Sequence, residues 1–166
     1  QASLGETVVL WLGPVHENGF RHESLGQLSQ GLYCNPEYLK QAFPLTHPSE
    51  LHKHTWVNLF SPPVDEMRLD HPEEKSFTLT TTPSRISTDQ FAMQAESLIR
   101  GEGIGLYPDW LAELTIAHAP NALIRCLAPW HGPSLPVWLM YPYGHLSKRT
   151  RVFIEYLKSH LPDAWH

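Results

Sequence analysis

Two periods of hydrophobic spacing mark the elements of this chain, one of about two residues and one of about 3.6. Residues 7–12, TVVLWL, are an unbroken apolar run that predicts a fully buried strand, stopped by Gly13-Pro14. Residues 15–30 are polar and irregular, and no element is expected there. Leu32 to Cys34 reads as the next strand. Asn35 then caps a short helix that begins at Pro36 and ends before Pro44, and Pro48 opens another through His52. Thr55 to Phe60 reads as a strand with Trp56 and Val57 in the core. The proline-rich stretch 61–75 predicts an exposed loop or hairpin tip, and Phe77 to Thr82 alternates as a half-buried strand does.

Residues 87–110, STDQFAMQAESLIRGEGIGLYPDW, carry the most information. Ser87 and Gln90 have capping-box spacing, and Phe91, Ala95, Leu98 and Ile99 recur on one helical face. Gly101 supplies a left-handed stop, Ile104 to Tyr107 is apolar enough for a central strand, and Pro108 suits the first turn of a helix over Asp109 to Ile116. Residues 117–122 read as a loop, Leu123–Leu127 and Pro136–Tyr141 as strands, and Ser147 caps a closing helix to His160 with Val152, Phe153, Tyr156 and Leu157 on its buried face. Strands alternating with helices at such short spacing predict an α/β fold with a parallel sheet.

These segments also carry a resemblance. GEGIGLYPDW after a capped helix, LYCNPEYLK at 32–40, HPSELHKHTWV at 47–57, LIRCLAPW followed by LPVWLMYP at 135–142, and SKRTRVFIEYL at 147–157 fall in the order seen in LysR-type transcriptional regulators. The chain resembles their effector-binding part. The resemblance implies two Rossmann-like lobes with a hinge, a fold like that of type 2 periplasmic binding proteins. It places a partial first lobe at 1–30 plus 143–166 and the second lobe at 31–142, with the DNA-binding helix-turn-helix absent from this chain. It also implies a homodimer or tetramer, DNA contacts made only through that absent domain, and a small-molecule effector held between the lobes. The family's first strand often carries "Asp-x-x-x-Arg-x-Gly"; Thr7 and Trp11 stand there in this chain, which changes the expected polarity of the effector.

Composition narrows the alternatives. Twelve Lys and Arg against seventeen Asp and Glu give a net charge of −5, which argues against duplex binding by this segment itself. The basic group Lys148, Arg149 and Arg151 reads as a solvated helix face. No run approaches the roughly 18 apolar residues needed to span a bilayer, so no membrane partner is expected. Cys34 and Cys126 both lie beside apolar segments; buried free thiols fit that context and a cytoplasmic location better than a disulfide.

The chemistry expected is binding without bond-making. His47, His52 and His54 lack metal-ligand spacing, GEGIG follows a helix where a dinucleotide fingerprint follows a strand, and no nucleophile elbow or P-loop is present. No catalytic residue, metal or cofactor is therefore assigned. Ser87 and Thr88, opening a helix after a strand, predict a donor-rich spot suited to a carboxylate or phosphate, and Asn35 is expected to do similar work. Gly13 and Pro14 end the first strand where backbone can approach a ligand, and Trp11, Tyr107 and Tyr143 could line a cleft. The resemblance implies effector contacts at Gly13-Pro14, near Ser87 and Thr88, and near the end of GIGLYP. The alternative with the same fold is a solute-binding protein serving a transporter.

Overall fold

The computed structural model describes residues 8–13, 15, 19–59, 66–80, 86–88 and 91–166. In chain order the strands and helices are β1 (Val9–Leu12), β2 (Phe20–Leu28), β3 (Gln30–Cys34), α1 (Pro36–Gln41), β4 (Val57–Leu59), β5 (Glu66–Leu69) and β6 (Phe77–Thr80). There follow β7 (Ile86–Thr88), α2 (Phe91–Ile99), β8 (Gly105–Pro108), α3 (Asp109–His118), β9 (Ile124–Cys126), β10 (Leu135–Pro142) and α4 (Lys148–Ser159). Among the described residues there are also two 3-10 turns, Pro48–Lys53 and Asp163–Trp165. The chain divides into two compact units, Gln1–Leu28 with Ser134–His166, and Ser29–Pro133. The crossings fall at 28/29 and 133/134. The expected division placed residues 134–142 in the second lobe, but β10 pairs with β1 on one side and β2 on the other and so belongs to the first unit.

That first unit is an antiparallel three-stranded sheet in the order β1-β10-β2, with α4 following β10. The prediction of a fully buried first strand fails: Leu10 and Trp11 are 51% and 44% exposed. Among the described residues β1 has a hydrogen-bonded neighbour on one side only, so an apolar run there does not imply burial. β2 runs for nine residues through a stretch whose composition hides it. Arg21, His22 and Ser24 face solvent while Leu25 and Leu28 are buried, so the apolar signal reduces to two residues. Ser147 caps α4 as expected, its Oγ accepting from the Thr150 N–H at 3.2 Å. The buried residue of that helix is Ile154, however, whereas Val152, Phe153 and Tyr156 are exposed. Helical period fixes a stripe but not which flank of it the sheet covers. Glu23 joins three elements: it accepts from the Tyr141 hydroxyl at 2.8 Å and from Lys158 Nζ at 3.0 Å, and those two bonds hold its carboxyl below the usual range.

The second unit is built on β3, whose five residues are all buried. β3 pairs antiparallel with β8 and with β9, in the order β8-β3-β9. β4 and β7 pair in parallel, and a parallel bridge between Trp56 and Ile104 joins β4 to the start of β8. Both faces of this sheet are covered, which is why its strands read as continuous apolar runs. On one face Leu32, Cys34, Leu51, Trp56, Ile104 and Trp130 form a cluster with Met67 and Leu69 of β5. On the other, Tyr33, Val57 and Tyr107 pack with Leu98 of α2 and Ala112 of α3. The β5–β6 hairpin supplies structure where a loop was expected over 66–69. Its burial alternates, with Met67 and Leu69 inward, but the inward residues sit among charges.

Candidate functional site

Parallel strands put their carboxyl ends at one edge, and helices that follow them begin there. Leu59 of β4 is in register with Thr88 of β7, and the bonds Val57 N–H to Ile104 O (2.8 Å) and Ile104 N–H to Thr55 O (2.9 Å) align β8 with them. Leu59, Thr88 and Pro108 therefore end at the same edge. α2 starts at Phe91 and α3 at Asp109, so two helix N-termini gather beside these strand ends. Edges of this kind are where α/β sheets bind ligands.

The glycine-rich turn makes the alignment possible. Gly101 closes α2 with φ of +78°, its N–H donating to Leu98 O at 3.0 Å, as its position after the helix predicts. Gly103 and Gly105 then bring the backbone against β4. A Cβ at Gly105 would stand 2.5 Å from the Val57 carbonyl oxygen, and one at Gly103 would stand 2.5 Å from that of Thr55. The α2 face that covers this contact includes Gln94, fully buried, whose Nε2 donates to Leu106 O at 2.9 Å. Ile99, expected on that face, is 37% exposed.

The expected site residues fall into two groups. Ser87 and Thr88 lie in β7 as its second and third residues, so Ser87 is a strand residue and not the helix cap. Gln90, the other half of the expected capping box, lies outside the described residues, as does Pro14. Asn35 caps α1, its Oδ1 accepting from Glu37 N–H at 2.9 Å. Its amide nitrogen also donates to Ile99 O and Ala122 O at 2.9 and 3.1 Å, so its side chain is engaged by the protein. Tyr107 is buried in the core, edge-on to Tyr33 and Phe91. The remaining candidates belong to the other unit. Gly13 ends β1 with φ of +104° and donates to Pro136 O at 2.9 Å, Trp11 stands opposite Trp138, and Tyr143 is exposed with the Arg21 guanidinium 5.9 Å from its ring.

One polar cluster at the carboxyl edge escaped the sequence reading. Asp109, first residue of α3, accepts from the Tyr33 hydroxyl and from Ser29 Oγ, both at 2.6 Å, and Arg125 Nη1 lies 3.7 Å away. Arg125 also donates to Trp130 O at 3.0 Å. Burial, followed by the hydrogen bond to Asp109, pushes the Tyr33 phenol far above its ordinary range. Beside this cluster Gln30 Nε2 donates to Pro133 O at 2.9 Å and Gly132 N–H to Gln30 O at 3.1 Å. Ser29 and Tyr33 share one stretch, but Asp109 and Arg125 are distant from it in sequence, and the β8-β3-β9 order brings them together.

Among the described residues no three His, Cys, Asp or Glu side chains are placed to hold an ion. His47 instead caps the 3-10 turn Pro48–Lys53, its Nδ1 accepting from Ser49 N–H at 3.1 Å, and its ring packs edge-on against Trp130. His54 pairs with the Tyr38 hydroxyl at 3.0 Å.

The model of the LysR substrate binding domain matches residues 7–162. The chain belongs to that family. Among its relatives, the iron-regulated virulence regulatory protein IrgB of Vibrio cholerae is 35% identical over 158 residues, 95% of this chain and 53% of that protein. The probable HTH-type transcriptional regulator SinR of Salmonella typhimurium is 23% identical, over 97% of this chain and 50% of its own length. The regulatory domain of CrgA from Neisseria meningitidis superposes with a TM-score of 0.72 at 21% identity, covering 92% of this chain and 74% of that one. The full-length virulence activator AphB of Vibrio cholerae superposes with a TM-score of 0.71 at 20% identity, over 92% and 51% of the two chains. The family's α/β fold, like that of type 2 periplasmic binding proteins, is thus the fold of this chain. These relatives are regulators and not transporter solute-binding proteins, which removes the ground for that alternative. The chain spans about half the length of the relatives it matches.

Proposed function

We propose that this chain is the ligand-sensing domain of a LysR-type transcriptional regulator that binds a small organic acid or amino-acid-like effector. The observation that carries the proposal is the family match over 7–162 together with the shared carboxyl edge of β4, β7 and β8. Backbone donors at the start of a helix that follows a strand favour a carboxylate. Ser87 and Thr88 are the contacts proposed in the larger unit, and Trp11, Gly13, Pro14 and Tyr143 those in the smaller. Asn35 and Tyr107 act in this reading by holding the scaffold, since one is engaged at a helix cap and the other is packed in the core.

The domain acts here by a shift of population: an effector that binds one conformational state more tightly than another moves the equilibrium between them. No covalent step and no cofactor is required. DNA is contacted through another domain of the full-length protein, which works in the cytoplasm as a homodimer or tetramer. Among the described residues no helix is long and apolar enough to cross a membrane.

Thermal unfolding of the full-length protein with a panel of small carboxylates and amino acids tests this. A true effector at a hundred times its Kd stabilises by about 2.7 kcal/mol. The Ser87→Ala/Thr88→Ala double variant is expected to keep the unliganded melting temperature and lose most of that gain. Turnover of a panel compound without any stabilisation would overturn the proposal.

A further inference from the structure

Cys34 ends β3 and Cys126 ends β9, and these antiparallel strands bring the two sulfurs to 3.2 Å. The residues are diagonal neighbours, Cys34 standing opposite Ile124 and Cys126 opposite Leu32, and both side chains enter the same apolar cluster. Both cysteines are free and buried. A separation of 3.2 Å is inside ordinary sulfur contact, so side-chain rotation covers most of the remaining distance to a bond of about 2.05 Å. From these positions we infer that Cys34 and Cys126 form a reversible disulfide when the protein meets a hydroperoxide.

The strand arrangement supplies the access that burial denies. β9 has three residues, lies at the edge of the β8-β3-β9 order, and exposes Ile124. A short edge strand opens locally at far lower cost than the whole fold, and opening this one uncovers both sulfurs. In the closed state the neighbouring Cys126 sulfur and burial hold the Cys34 thiol well above its ordinary range, which keeps it protonated and unreactive. Cys126, on the strand that opens, reacts first.

The chemistry balances with the hydroperoxide as sole oxidant. The Cys126 thiolate attacks the terminal peroxide oxygen, the O–O bond breaks, and the alcohol leaves with a proton, giving a sulfenic acid. The Cys34 sulfur then attacks the Cys126 sulfur; the S–O bond breaks and water leaves with the Cys34 proton. In sum, two thiols give two electrons and two protons to one hydroperoxide, yielding one disulfide, one alcohol and one water. A dithiol reductant reverses the link. The bond closes a loop of about ninety residues that holds most of the larger unit, so it restricts the unfolded chain strongly. This inference stands apart from the effector reading and concerns the opposite property, stability under oxidation.

The test treats the intact protein with tert-butyl hydroperoxide and maps non-reduced peptides by mass spectrometry. Expected are a linked peptide pair containing Cys34 and Cys126, a mass lower by two hydrogens, recovery of both thiols with dithiothreitol, and a melting temperature raised by several degrees in the oxidised form. In Cys126→Ala, Cys34 is expected to stay reduced under the same treatment. Two results would overturn the inference: both thiols still titratable after treatment and unfolding, or separate over-oxidation of each without a link. Mapping of the unaltered protein decides the matter even if the variant fails to fold.

Discussion

The Tyr33 hydroxyl donates to Asp109 Oδ1 at 2.6 Å, joining the buried central strand β3 to the first turn of α3. Asp109 is half of a shared arrangement. Ser29 Oγ binds its other oxygen at 2.6 Å, and a Cβ on Gly31 would meet Asp109 Oδ1 at 2.9 Å and Arg125 Nε at 2.8 Å. The carboxylate thus lies over β3 where only a glycine leaves room. Tyr33→Phe removes a single hydrogen bond to a charged group and is expected to cost about 1.5–3 kcal/mol. Asp109→Ala leaves the Tyr33 and Ser29 hydroxyls without their acceptor and Arg125 without its ion partner, and is expected to cost more. Urea unfolding of the two variants measures both. Equal stability of Asp109→Ala and the unaltered protein would show that the cluster contributes nothing net.

Gly105 offers a sharper test of how β8 is aligned. The position has ordinary extended backbone, so strain is not the issue. Space is: a methyl group would sit 2.5 Å from the Val57 carbonyl oxygen, with Gln94 Nε2 and Leu98 Cδ2 at 3.2 Å behind it. The first of these is backbone in a paired strand and cannot step aside. Gly105→Ala is expected to destabilise by about 1–3 kcal/mol. Because β4 and β8 would have to separate, it should also reduce effector-induced stabilisation. Gly19→Ala, where a Cβ meets nothing, is the matched control for glycine loss, although φ of +95° gives it a smaller cost of its own.

Much of the larger unit was legible in the chain because its strands are covered on both faces and its helices carry local signals. The apolar run at Leu32 to Cys34, the cap at Asn35 and the stop at Gly101 each rest on chemistry within a few residues, and the structure keeps all three. β2 was illegible for the opposite reason: with Arg21, His22 and Ser24 facing solvent, its strand character comes from pairing with β10, more than a hundred residues away. The exposure of Val152 and Phe153 in α4 was hidden too, since period marks a stripe and the covering neighbour is a tertiary fact. At the site, Ser87 looked like a cap because a hydroxyl followed by Gln90 fits the motif. Parallel pairing with β4 claims its backbone instead. The Asp109 cluster left no local trace at all, because its four residues come from three separate stretches.

Asn35 shows how a residue read as a ligand group can serve the scaffold. Its side chain makes one capping bond to Glu37 N–H and two bonds that reach the C-terminal end of α2 and the segment before β9. Asn35→Ala forfeits the cap, worth about 0.5–2 kcal/mol, and leaves two carbonyls short of a donor. A loss of about 2–3 kcal/mol is expected. Asn35→Asp keeps the capping acceptor but not the two donors, and should recover only part of it. If the aspartate variant matched the unaltered protein in chemical unfolding, the tether to Ile99 and Ala122 would carry no energy.

His54 is expected to make the larger unit sensitive to mild acid. Its half-buried ring sits beside Tyr38, whose hydroxyl contacts Nδ1 at 3.0 Å and accepts from Thr55 N–H at 3.1 Å. Desolvation lowers its pKa below the ordinary 6.5, only partly opposed by the charge of Glu50. A base with a depressed folded pKa binds its proton more readily in the unfolded chain. Its contribution to stability is therefore complete above about 6.5 and lost as pH falls from there through the folded value. His54→Gln removes the titration. The unaltered protein should lose stability more steeply than this variant between neutral pH and about pH 5, with the two curves parallel above neutrality. Urea midpoints measured across that range give the comparison, and slopes that coincide throughout would mean that burial of His54 does not couple protons to folding.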